Sequence, residues 1–208
     1  MRVVRQASFE EYVRWYLSRE YRKRNRDSDV SARSSESLLK EMRRAEPGKL
    51  RRWFDAACWS IVSLDDFADA MSLVCVDNWE TRRSGLVRGD RPDCQVMSVV
   101  VRAALETRYF DNREVLRTNS VEAHFRQERI NAFRKTWPAF RDEERITICD
   151  LNPDEKAQNP SGTYYLHDGY GRLLAYLYAI AYEGREYLPI EAFLAQARSG
   201  DNPETPPR

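Results

Sequence analysis

Histidine, lysine and closely spaced cysteine are what this chain has least of. Two histidines, His124 and His167, among 208 residues cannot build a histidine-rich metal centre. The four cysteines, Cys58, Cys75, Cys94 and Cys149, never fall within four residues of one another, which excludes zinc-knuckle spacing and leaves buried reduced thiols as the expectation. No apolar run approaches the roughly 20 residues that span a bilayer. Behind Met1-Arg2-Val3-Val4-Arg5 there is no hydrophobic stretch of the signal-peptide kind, so the chain reads as cytoplasmic, with no membrane partner. A net charge of +1 excludes a chain-wide attraction for nucleic acid or anionic lipid. Only five of the 34 basic residues are lysine. Arginine forks suit carboxylate and phosphate, but a genomic codon bias explains the skew more simply.

What is present is a globular composition, 42% hydrophobic and 32% charged. A chain of this length buries roughly 70% of its unfolded surface, so it is expected to build a real core. The order of patterns predicts an α+β protein: a helical region over 1–140, an α/β unit over 141–198 and a disordered tail over 199–208. Ser8 and Glu11 fit a capping box, and Tyr12, Trp15, Tyr16 and Arg19 follow at helical spacing. Further helices are expected over 38–45, 50–62, 64–76, 94–110 and 119–137, with a long arginine-rich loop over 78–93. Beyond Pro138 the character changes. Strands are expected over 145–151, 163–167 and 186–190, the last an edge because of Pro189. A polar loop covers 152–162, a buried helix 169–183, and a final helical turn 191–197.

The junction between the second of these strands and the buried helix reads Asp168-Gly169-Tyr170-Gly171-Arg172. A strand that turns through glycine into a helix aims unpaired N–H groups at one point, which is an anion site. Gly169 and Gly171 let a phosphate approach the backbone. Arg172 can add a forked contact, and Asp168 can hold a hydroxyl or a metal-bound water. The same residues also make an ordinary turn, with Asp168 as the helix cap and Arg172 paired to a local acid.

Strand, polar loop, strand, D-G-x-x-R, apolar helix and then "REYLPIEAF" resembles the ParB/sulfiredoxin superfamily, over roughly 146–193. The resemblance implies a small mixed sheet with a buried helix, onto which the helical N-terminal part packs. It implies nucleotide phosphates held by Gly169, Tyr170, Gly171 and Arg172, with ATP or CTP and Mg²⁺ as cofactors. It also implies phosphoryl transfer to a small hydroxyl-bearing substrate, with Arg172 neutralising charge and Asp168 or His167 orienting the hydroxyl or acting as base. Where sulfiredoxins carry their reactive cysteine this chain has Tyr170, so sulfinate reduction is excluded. Asp150 and Asp168 are the carboxylates that could share a Mg²⁺ ion.

A second reading belongs to another class. In it the turn is structural, and arginine-rich segments, 19–26 and 78–91, make the chain a non-catalytic DNA- or protein-binding accessory module.

Overall fold

The computed structural model describes residues 1–23, 30, 32–45, 51, 53–76, 94–107, 109–110, 140 and 142–198. In these residues the order is β1 (Arg2–Ala7), α1 (Phe9–Lys23), α2 (Ser35–Ala45), β2 (Cys58–Leu64), α3 (Phe67–Met71), β3 (Val74–Val76), β4 (Cys94–Val96) and α4 (Met97–Glu106). A 3₁₀ turn (Asp142–Glu144) leads into β5 (Ile146–Cys149), α5 (Pro153–Gln158), β6 (Tyr165–Asp168), α6 (Tyr170–Glu183) and β7 (Ile190–Gln196). The fold is α+β, with helices on a mixed sheet.

The seven strands lie in the order β1-β2-β7-β5-β6-β3-β4. The β5–β7 and β3–β6 pairs are parallel and the others antiparallel. The two sides of residue 140 share this sheet, because β2 pairs along its full length with β7. Strand alternation splits the apolar residues between two cores. Val62, Leu64, Ile146, Ile148, Ala192 and Leu194 face α4 and α6. Trp59, Ile61, Cys149, Phe193 and Ala195 face α1 and α2.

That two-sided burial explains the largest departures from expectation. Residues 58–62, expected to end the helix over 50–62, belong instead to β2, a strand with apolar side chains on both faces and burial on both. The expected helix over 64–76 is the short α3 followed by β3, and the expected helix from Cys94 begins only at Met97, after β4. Within α4, Met97 and Val101 are buried and Val99 is exposed. The loop over 152–162 contains α5, started by a full capping box in which the Asn152 side chain accepts from Glu155 N–H and Glu155 returns the bond. The stretch 191–197 is not a helical turn but most of β7, which is central; Pro189 stands just before it, where no ladder bond is lost. β1 had no counterpart in the sequence reading.

Other expectations held. Ser8 caps α1 through its Oγ, which accepts from Glu11 N–H at 3.1 Å, although the Glu11 carboxylate turns to Arg5. The α2, β5, β6 and α6 segments lie where expected within a few residues. The loop over 78–93, the helix over 119–137 and the tail over 199–208 fall outside the described residues. Among the described residues no helix is long and apolar enough to cross a membrane.

Candidate functional site

The junction between β6 and α6 is built by a bulge. Asp168 pairs with Thr147 and Leu166 with Ile148, so His167 is the extra residue on β6. Neighbours on a regular strand point to opposite faces. Here His167 and Asp168 both reach the α1 side: the His167 ring meets Phe54 edge-on at 4.9 Å between centroids, and Asp168 meets Arg19 of α1.

Gly169 caps α6 in the left-handed conformation, φ 100°, and brings no side chain to bond the first-turn amides. A Cβ there would lie 2.6 Å from Ile146 Cγ2, so the glycine is required by close packing on β5 as well as by its φ. Its carbonyl accepts from Leu173 N–H at 2.9 Å, the first bond of the helix. Tyr170 packs against the core beneath α4 and α6, and Gly171 is half-buried.

The structure gives Arg172 internal partners. Its Nη1 donates to the Glu144 carbonyl at 2.7 Å and to the Glu144 carboxylate at 2.6 Å, and Nη2 donates to the Arg145 carbonyl at 3.1 Å. Asp168 lies 3.6 Å away and takes its close bond, 2.5 Å, from Arg19. The carboxylate therefore belongs mainly to Arg19. The two guanidiniums respond differently. Burial lowers the Arg172 pKa and Arg19 reinforces the effect, against the pull of Asp168 and Glu144. Burial also acts to lower Arg19, but Asp168 outweighs it and the net shift is upward. Both remain cations. Glu144, with 42% of its side chain exposed against 16% for Arg172, is the most accessible member of the network.

Arg19 opens the arginine-rich segment 19–26 of the second reading. It is 7% exposed, and its guanidinium also lies 5.2 Å from the Trp15 ring centroid. Its helical spacing with Tyr12, Trp15 and Tyr16 was the available signal that it faces inward. Tyr12, fully buried, has its phenol pKa raised well above the ordinary range by burial first and by Asp168 second. Glu144 had no sequence signal beyond being a nearby acid.

Asp150 is not brought to this site. It follows the last residue of β5, whereas Asp168 pairs with the second, so the two carboxylates lie at opposite ends of that strand. Asp150 accepts from Ala197 N–H at 2.7 Å, and burial raises its pKa. Among the described residues no cluster of three or more His, Cys, Asp or Glu side chains could hold a metal ion. The structure thus does not bring Asp150 and Asp168 together.

Compared with known proteins, the chain matches no family model, no curated protein and no solved structure.

Proposed function

We propose that the chain binds a phosphorylated small molecule, a nucleotide such as ATP or CTP, at the N-terminus of α6. The observation that carries the reading is the Gly169 cap. A helix of 14 residues begins at a left-handed glycine that supplies no capping side chain. Its first amides and its dipole then favour an anion. The surrounding charges support it. Arg19 and Arg172 are balanced by Asp168 and Glu144, and Glu144 is the half-exposed one. A phosphate arriving at the turn competes with Glu144 for Arg172, whose two carbonyl contacts keep it in place during the exchange. Any Mg²⁺ arrives with the nucleotide phosphates, because Asp150 and Asp168 lie at opposite ends of β5. With Asp168 committed to Arg19 and His167 against Phe54, the proposal is binding, and no catalytic base is assigned.

The test is thermal unfolding with ATP and with CTP, each with and without Mg²⁺. Ligand at 100 times its dissociation constant adds about 2.7 kcal/mol, so the melting temperature should rise. Gly171→Asp puts a carboxylate in the first turn, where the dipole tolerates it but a phosphate does not. That variant should melt no lower than wild type and lose the nucleotide shift. A shift that survives the substitution, or no shift with either nucleotide, rejects the reading.

A further inference from the structure

We infer that a cleft between the first turns of α1 and α2 docks a partner protein through one large apolar side chain flanked by a basic residue. This surface does not involve the Gly169 turn. The two helices run side by side in the same direction: Arg14 of α1 reaches Ser35 at the start of α2, and Tyr21 near the end of α1 bonds Glu41 near the end of α2. Their first turns therefore lie together, and an open cleft of about 220 Å³ remains between them. Val13 and Leu38, both buried, form its floor, and the half-buried Phe9 and Leu39 form its walls. Ser35 is the smallest side chain that lines it.

Close-packed interiors leave few voids larger than a water molecule. A cavity of about 150 Å³ already holds a benzene ring, so this cleft takes one aromatic or leucine-sized side chain with room for its stem. Its wall is almost wholly apolar. Small-molecule sites add a few convergent polar groups to such a wall, whereas the anchor pocket of a protein interface needs none. The polar groups stand at the mouth, and they are acidic: Glu10 and Glu36 are both exposed there. Glu10 shares its carboxylate with Arg14 at 2.9 Å. Glu36 has no cation within salt-bridge reach among the described residues. An acid in a first turn answers the helix dipole and by itself carries no meaning. Here it borders an open apolar cleft that, among the described residues, no basic side chain lines. An apolar side chain with a lysine or arginine beside it meets both features, and a basic amphipathic helix laid in a groove supplies that pair.

The experiment is fluorescence anisotropy with the full chain and labelled helical peptides: leucine at i, i+3, i+4 and i+7 with lysine elsewhere, the same peptide with glutamate for lysine, and the same with serine for leucine. The leucine–lysine peptide should bind and the other two should not. Glu36→Gln should weaken binding and flatten its dependence on salt. Glu36 is exposed, so this variant folds and tests the site on its own. Leu39→Trp should fill the cleft, melt no lower than wild type and weaken binding by roughly tenfold or more. Arg102→Glu, which adds an acid on α4 across the sheet, should change nothing. No binding of the leucine–lysine peptide overturns the inference. So does binding that either substitution in the cleft leaves unchanged, equal binding of the serine or glutamate peptide, or a gain with Arg102→Glu that marks unspecific attraction. Binding of phenethylammonium with refusal of the peptide would make the cleft a small-molecule site. Self-association lost in Leu39→Trp, with refusal of the peptide, would make it a site for a second copy. Either result also overturns the inference.

Discussion

Arg19 and Asp168 are 149 positions apart in the chain and 2.5 Å apart in the fold. This bond ties α1 to the turn that starts α6, across the face of the sheet. Both partners are largely withdrawn from water, with 8% and 17% of their side chains exposed.

Removing one partner of such a pair strands the other. Arg19→Met should cost about 3–5 kcal/mol in denaturant unfolding, far more than Arg2→Met at the exposed Arg2–Asp65 pair, where roughly 0–1 kcal/mol is expected. Combining Arg19→Met with Asp168→Leu should recover part of the loss. Additive losses in the double variant would mean that the two residues do not act as a pair.

The two left-handed glycines at the ends of α6 should respond unequally to alanine. At Gly184 nothing lies within 4 Å of the added Cβ, so only the backbone cost, about 1–2 kcal/mol, applies. At Gly169 the Cβ also strikes Ile146, and overpacking should bring the loss above about 2 kcal/mol. Equal urea midpoints for the two variants would contradict the packing of Gly169 on β5.

Glu144→Gln should leave the fold intact, with a loss of about 1–3 kcal/mol for the charged hydrogen bond, because Arg172 keeps the Glu144 and Arg145 carbonyls. It should also enlarge the melting-temperature rise given by nucleotide, since one competitor for Arg172 is gone. A smaller rise than wild type would show that Glu144 assists the ligand instead of competing with it.

Cys149 should weaken the fold at alkaline pH. Burial pushes its thiol up to about 12 in the folded state, against about 8.5 in an unfolded chain. The unfolded state loses the proton first, so the contribution is fully present below about pH 8.5 and is lost as pH rises toward the folded value. Burial raises the Tyr12 and Tyr187 phenols in the same direction. Urea unfolding from about pH 8 to about pH 11 should show falling stability. Cys149→Ala should flatten that slope even though it lowers the absolute stability by opening a cavity. An identical slope in the variant would rule out the thiol as a contributor.

Asn152→Ala should cost about 1 kcal/mol through loss of the α5 cap, with Ser8→Ala at α1 similar. Thermal or urea unfolding checks both.

Sequence alone fixed the features whose causes are local. Ser8 announces α1 because a hydroxyl before a helical pattern satisfies an orphan amide. Gly169 and Gly184 bracket α6 because only glycine enters the left-handed region without strain. The apolar run between them could only be a helix packed on several sides. Tertiary structure decided the rest. Residues 58–64 carry apolar side chains on both faces, a pattern that helix and buried strand share, and only pairing with β1 and β7 selects the strand. Arg19 belongs by spacing to the buried stripe of α1, but a cation stays there only when a carboxylate meets it, and Asp168 arrives through a bulge in β6 that no local pattern marks. The forked grip of Arg172 was expected from its chemistry. That it closes on Glu144 and two carbonyls was settled by the chain folding those acceptors within 3.1 Å of it.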